Sequence, residues 1–388
     1  MWSWRNPPKL DNAKDERKAS WLELFYDLVY IATVIQLGEF LHHHLTVLGA
    51  LQFAFLFLIV WWSWSGTTYY TNRFVTDDAL HRLLIFLQIL GVAYLAVNIS
   101  TAFGAGGAAF ALSYVGIRVV LILMYARAYR HAAKTRPLIR NYVTGFSLGI
   151  TFWLISAFLP EPWRYVFWGL GIASEVIVHF VAGTQTLEAK VPFNLAHLSE
   201  RYALFIIIVL GDSFIKAIGR VSDEGLTPAT NAFGLLTVLM VVSVWWVYFD
   251  DVAEAALRGS NVITAWVYNH LFLSASIVAF GVAVEEMTQL QFGAPIETPI
   301  LWLVCLSVGG YFGAVAWVDY LTDAGEDTKD LPRVVVRTVA AVIIALLPLL
   351  AAGLNALPLI IVVATLCALQ IAFDLSRPRD LAEVSAQH

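Results

Sequence analysis

Two apolar stretches each carry a pair of carboxylates. One reads D27-LVYIATVIQ-LG-E39 and the other E200-RYALFIIIV-LG-D212. In each, nine residues separate the first acid from a Leu-Gly-carboxylate triplet, and a base follows four residues later, His43 in one and Lys216 in the other. Acids inside apolar helices cost several kcal/mol unless they pair or line a polar cavity, so they mark ion paths, proton relays or fixed ion pairs. At about 1.5 Å per residue, the two acids of each helix lie roughly 18 Å apart along its axis. The chemistry on offer is proton or cation passage, with Asp27, Glu39, Glu200 and Asp212 as exchanging groups. The structural alternative is local pairing at i,i+4, Glu39 with His43 and Asp212 with Lys216. Gly38 and Gly211 would let neighbouring helices approach closely and hold the acids inside a bundle.

Further polar groups sit within the apolar runs. Glu23 follows Ser20 by three residues, the capping-box spacing that opens a helix, and shares a face with Asp27 four residues on. Ser199 is placed to cap a helix opening at Glu200-Arg201. Arg118 has no charged neighbour at helical spacing, so its partner must come from another helix; Asp27, Glu175 and Asp212 are all candidates. Glu175 and His179 form an E-x-x-x-H pair suited to a local hydrogen bond, a proton relay or, with further ligands, a metal. Consecutive histidines point in different directions, so His42-His43-His44 make a poor metal cluster. His81 and His270 lie near helix starts, where bis-histidine haem ligation would need support that no other motif gives. Trp61, Trp62, Trp64, Trp245 and Trp246 read as interfacial anchors at helix ends. Asp250-Asp251-x-x-Glu254 and Glu285-Glu286 read as helix exits into water, or as a cation vestibule. No Walker loop, nucleophile elbow, H-E-x-x-H or redox cysteine pair is present, so no enzyme, metal or cofactor is expected.

The elements that position these groups follow from composition. The 388 residues are 59% hydrophobic and 14% charged, with mean hydropathy +0.71 and net charge −5. Ordinary soluble domains are about 25% charged, so this is the composition of an all-α polytopic membrane protein. Apolar runs near spanning length fall at about 21–42, 47–66, 80–99, 108–128, 142–160, 163–183, 200–219, 230–250, 266–286, 299–319, 333–352 and 355–375, which predicts twelve transmembrane helices. Residues 1–20 lack the apolar core of a cleavable signal. With both termini in the cytoplasm, nearly all of the 24 Lys and Arg fall on the cytoplasmic side, as the positive-inside rule requires. Arg164 and Arg220 are the external exceptions, and Arg118 and Lys216 lie within or near spans. Cys305 and Cys367 sit in apolar runs and offer no disulfide framework.

The paired stretches extend into a longer repeat. One offset places Asp27 on Glu200, Glu39 on Asp212 and His43 on Lys216; slightly larger offsets place Trp61-Trp62 on Trp245-Trp246 and His81 on His270. This predicts two parallel six-helix repeats, 21–183 and 200–375. A cytoplasmic tail over 1–20, a cytoplasmic connection over 184–199 and a cytoplasmic tail over 376–388 complete the chain.

Two segments resemble a known family. S20-WLELFYDLVYIATV and H197-LSERYALFIIIVLGDSF are similar to the signature segments of the bacterial low temperature requirement A (LtrA) proteins. The first signature is matched at Glu23, Leu24, Phe25, Asp27, Leu28 and Val29. The second is matched at His197, Glu200, Arg201, Leu204, Phe205, Leu210, Gly211 and Ser213, with Asp212 where the family usually has Glu. The resemblance implies a multi-spanning membrane protein linked by name to growth in the cold. F25-YDLVYIATV also resembles the Phe-Ser-Asp first helix of a potassium-channel family built from six-helix repeats, with Tyr26 in place of the serine. The function expected is a proton- or cation-coupled transporter of the bacterial plasma membrane. Helices at 21–42 and 200–219 would line its pathway, supported by Glu23, Arg118, Glu175, His179, Arg201, Lys216 and His270. A passive cation channel and a non-transporting regulator of low-temperature growth are the alternatives. The expected partners are the lipid bilayer and an ion or small solute, with no nucleic acid; a homo-oligomer is left open.

Overall fold

The computed structural model describes residues 6–12, 17–180, 183–224, 227–252, 260–288, 295–323, 331–350, 353 and 355–377. The helices are α1 (Trp21–His42), α2 (Val47–Arg73), α3 (Ala79–Val97), α4 (Gly107–His131), α5 (Arg136–Ser156), α6 (Trp163–Phe180) and α7 (Thr184–Lys190). They continue as α8 (Leu195–Glu224), α9 (Pro228–Val247), α10 (Ser260–Thr288), α11 (Thr298–Asp323), α12 (Leu331–Leu346) and α13 (Ala356–Ser376). A two-residue strand β1 (Lys9–Leu10) pairs antiparallel with β2 (Phe74–Val75).

Each apolar run read from the sequence contains a helix among the described residues. Among the described residues nine helices are long and apolar enough to cross a membrane, or ten if α6 and α7 form one bent span. The protein is thus an all-α, multi-pass membrane protein. Of the expected spans, α5 falls short in apolarity because it carries Arg140, Asn141, Thr144 and Ser147. The chain divides into two compact units, residues 1–208 and 209–388. The division falls inside α8 rather than in the 184–199 connection.

In the first unit α1 packs on α2 and α3, α3 on α4, α4 on α5 and α5 on α6. α1 opens with the capping box read from the sequence: Ser20 Oγ accepts from the Glu23 N–H, and the Ser20 N–H donates to the Glu23 carboxylate. Its inner face presents Tyr26, Asp27, Tyr30, Ile31, Val34, Leu37 and Leu41, at the three- and four-residue steps of one helix side. Its outer face presents Trp21, Phe25 and Leu28, apolar groups suited to lipid. Since lipid is as apolar as leucine, packing and interhelical hydrogen bonds hold such helices together, which gives the buried polar groups unusual weight.

α2 departs most from expectation. It runs on to Arg73, past the predicted end near residue 66, and its last eleven residues, Ser63 to Arg73, are all buried. Trp61, Trp62 and Trp64 therefore lie mid-helix and are at most 2% exposed. They are interior residues, not interfacial anchors. Trp245, at 41%, is exposed as an anchor would be. In the second unit α10 packs on α11, α11 on α12 and α9 on α13. α9 runs into a π-helical turn at Tyr248–Val252 that contains Asp250; Glu254 lies outside the described residues.

Candidate functional site: buried ion pairs

α8 begins at Leu195, not at Glu200. Asn194 Oδ1 accepts from the His197 N–H, taking the capping role assigned to Ser199, whose hydroxyl instead donates to the Leu195 carbonyl within the helix. The earlier start brings His197 and Arg201 to one side of α8, facing α1 and α2.

Arg201 is completely buried and grips Asp27. Its Nε donates to Asp27 Oδ2 at 3.0 Å and its Nη2 to Asp27 Oδ1, a two-pronged pairing that suits the guanidinium plane. Its Nη1 donates to Thr71 Oγ1 at 2.7 Å. Trp64 Nε1 donates to Asp27 Oδ1 at 2.7 Å, so an interior tryptophan fixes the acid. Beside this pair lies Glu23. Its Oε1 is 3.3 Å from His197 Nε2, 3.5 Å from Arg17 and 3.9 Å from Arg201 Nη1. Asn72 Nδ2 lies 3.2 Å from His197 Nδ1 and donates to the Asn194 carbonyl. Arg17 Nη2 also lies 3.0 Å from His197 Nδ1 and 3.1 Å from its Nε2, so the ring meets Arg17 and Asn72 as well as Glu23. Arg17 adds a bond to the Thr71 carbonyl at 2.6 Å. Glu200, the counterpart of Asp27 in the repeat, is half-buried and accepts from the Ala19 N–H at 3.0 Å.

A second pair lies between α4 and α6. Of the candidates open to Arg118, the structure chooses Glu175: Arg118 Nη2 is 2.7 Å from Glu175 Oε2 and both side chains are completely buried. The same oxygen accepts from Trp62 Nε1 at 2.9 Å and from Tyr114 OH at 3.0 Å. Arg118 Nε donates to Tyr114 OH and its Nη2 to the Trp62 carbonyl. Glycines make the room. A Cβ on Gly66 would stand 2.6 Å from Arg118 Nη1, and one on Gly149 2.7 Å from Glu175 Oε1. The expected Glu175/His179 pair is not formed. Glu175 is taken by Arg118, and His179 Nδ1 lies 2.9 Å from Glu188 on α7. Glu188 also accepts from Tyr142, whose hydroxyl accepts from Arg73 Nη1.

Glu39 is half-buried and makes no ion pair with His43 among the described residues. In the second unit Lys216 bridges Asp212, at 3.4 Å, and Glu285, at 2.9 Å. The i,i+4 pairing is present, and Glu285 joins it instead of marking an exit into water. Gly211 faces open space: a Cβ there meets nothing within 4 Å, so close helix packing does not explain this glycine. His270 is buried with Nδ1 2.8 Å from the Trp266 carbonyl and Nε2 3.2 Å from Tyr248 OH. Both ring nitrogens face protein partners, the arrangement of a core histidine.

The sequence reading missed one cluster. Arg337 on α12 pairs with Asp319 on α11 and with Asp374 on α13 at 3.0 Å, and Arg333 lies 3.3 Å from Asp374. The available signal was Asp319 and Asp374, single acids near the ends of apolar runs.

The family described as bacterial low temperature requirement A protein matches residues 18–369, which take in the groups described above except Arg17 and Asp374. The chain is also similar to the uncharacterized protein RA0937 of Rhizobium meliloti, 31% identical over 253 residues. That similarity covers 62% of this chain and 61% of the relative. With the family match extending over most of its length, the chain belongs to the bacterial LtrA family.

Proposed function

We propose that this membrane protein is a transporter, not an enzyme, and that it couples to a proton or another small cation at the Glu23/Asp27 site. The observation that carries this reading is the Asp27–Arg201 pair, buried, two-pronged, and set beside a second acid and a histidine. A paired acid at membrane depth is a poor static element, because well-packed apolar residues would serve stability as well or better. It is a good exchange site. Protonation of Asp27, or arrival of a cation beside it, weakens its hold on Arg201 and so can bias which arrangement the helices adopt. Trp64 and Thr71 hold the two partners in place between cycles. Glu39, Asp212 and Glu200 are the further steps of the path, and Arg118 and Lys216 set its charge. In this reading twelve spans form two parallel repeats in the plasma membrane, with both termini in the cytoplasm, and the Glu23/Asp27 site lies toward that side.

The test is ion flux in liposomes holding the purified protein and a pH dye, under separate proton and potassium gradients. Wild type should carry flux that Asp27→Asn abolishes. Flux that runs down any cation gradient without a coupled solute would favour a passive channel. A second reading rests on a specific observation, that Asp27 and Glu175 each already hold a cationic partner. A regulator of growth in the cold, built on fixed pairs, would carry no flux under any gradient.

A further inference from the structure

The connection between α4 and α5 gathers positive charge without any acid to balance it. From residue 79 to residue 160 the chain holds no Asp or Glu. Within that stretch Arg130, Lys134, Arg136 and Arg140 lie close together in sequence, and all four are exposed. Other cations of the first unit are taken: Arg82 pairs with Asp77, Arg118 with Glu175 and Arg127 with Asp78. None of the four makes an ion pair among the described residues.

Local geometry adds to the excess. α5 opens at Arg136 with no acid in its first turn and no side-chain cap. Arg136 and Arg140 therefore stand near the positive end of a helix dipole, an arrangement that an anion relieves. Arg136 is turned back onto α4: its Nε donates to the Tyr129 carbonyl at 3.0 Å, and its guanidinium carbon lies 5.4 Å from the centre of the Tyr129 ring.

The patch also sits where a membrane surface must be. α4 has 25 residues, about 37 Å at 1.5 Å per residue, against a hydrocarbon layer of about 30 Å. Its charged end emerges at headgroup level, with the exposed, amphipathic Tyr129 beside it. One exposed side of α4 runs through Leu112, Val119 and Leu123 and then reaches Arg130, at helical spacing. An apolar stripe thus leads directly into the cations.

We propose that the α4–α5 connection binds an anionic phospholipid, with the lipid phosphate at Arg130, Lys134 and Arg140 and an acyl chain along the Leu112, Val119 and Leu123 stripe. Charge complementarity selects the headgroup. A guanidinium offers paired N–H donors to phosphate oxygens, and Lys134 adds a point charge. A zwitterionic headgroup brings its own ammonium into the same patch and gains less. The stripe selects a lipid over a soluble anion, which has nothing to lay on it. The inference is independent of the transport reading and holds whichever leaflet meets this connection.

The experiment is native mass spectrometry of the purified protein equilibrated in detergent with equal amounts of phosphatidylglycerol and phosphatidylcholine, counting the lipid that stays bound. Each basic group near an anionic surface is worth roughly a factor of five. Wild type should therefore retain phosphatidylglycerol at least tenfold over phosphatidylcholine, and Arg130→Gln/Lys134→Gln/Arg140→Gln should retain the two equally. If that variant does not fold, Arg130→Gln alone should lose about fivefold. The control is Lys9→Gln/Lys18→Gln/Lys190→Gln, which removes the same charge from exposed positions elsewhere and should keep the preference. Absence of a preference in wild type, its persistence in the Gln variants, or an equal loss in the control overturns the proposal. So does displacement of the lipid by millimolar inorganic phosphate, which would make this a site for a soluble anion.

Discussion

Replacing Arg118 by Met would leave Glu175 completely buried, facing only the neutral donors Trp62 and Tyr114. Removing one partner of a buried pair costs about 3–5 kcal/mol, because the remaining charge has neither water nor a counter-ion. Against a total stability on the order of 5–15 kcal/mol, that is a large share. Removing both charges is different: Arg118→Met with Glu175→Leu deletes the desolvation cost together with the attraction, and buried pairs replaced by apolar groups are often neutral. The two single changes should therefore cost about 3–5 kcal/mol each, while the double change costs no more than one of them. That is a coupling of roughly 3 kcal/mol or more, where independent sites would add. The assay is reversible unfolding in micelles by increasing SDS, followed by far-ultraviolet circular dichroism so that loss of contacts at Trp62 does not distort the signal. If the single variants do not fold, Glu175→Gln, which keeps the shape and an acceptor, supplies the milder arm. Additive costs, or single changes below about 1 kcal/mol, would refute the claim that the pair acts as a unit in a water-free interior.

Other outcomes follow from the same geometry. Gly149→Ala would push a methyl toward Glu175 Oε1 and should cost about 1–3 kcal/mol, whereas Gly211→Ala meets open space and should stabilise its helix by about 0.5–1 kcal/mol in the same unfolding assay. Arg337→Met removes the guanidinium that Asp319 and Asp374 share and should cost about 3 kcal/mol in the second unit. At Asp78, just ahead of α3, burial opposes ionisation, but Arg127 and the N–H groups of His81 and Asn6 outweigh it and hold the carboxyl below the usual range. A carboxyl held low when folded adds stability that is complete above its unfolded pKa, about 3.9, and is lost as pH falls through the folded value. Wild type should therefore lose more stability than Asp78→Asn on acidification below about pH 4; equal losses would count against the Arg127 contact.

What the sequence made legible was governed by local rules. The capping box at Ser20 and Glu23 is a four-residue pattern, and the Asp212/Lys216 contact is an i,i+4 pattern; both are in place. The membrane class followed from composition. Partners on different helices were not legible. Arg118 had three candidate acids at the sequence level, and only the packing of α4 on its neighbours singles out Glu175. Glu175 and His179 looked like a pair because they are four residues apart, yet each finds a stronger partner elsewhere, Arg118 for one and Glu188 for the other. The tryptophans of α2 were misplaced because hydropathy ended the helix near residue 66. The run to Arg73 is polar, S-W-S-G-T-T-Y-Y-T-N-R, but it is buried against protein, where hydrogen-bonded hydroxyls and an indole-bound acid are favourable. The Arg333, Arg337, Asp319 and Asp374 cluster was hidden for a related reason: arginines near a run's end look solvated until a neighbouring helix covers them.

Whether Asp27 moves a proton or stands as a fixed pair with Arg201 is tested most directly by infrared difference spectroscopy of the reconstituted protein across a pH step, in wild type and Asp27→Asn. An exchanging Asp27 predicts a carboxylic C=O band that appears on acidification, shifts in deuterium oxide and is missing from Asp27→Asn. An identical difference spectrum in the two proteins would mean that Asp27 does not change its protonation across the step, and would contradict the transport reading at its central residue.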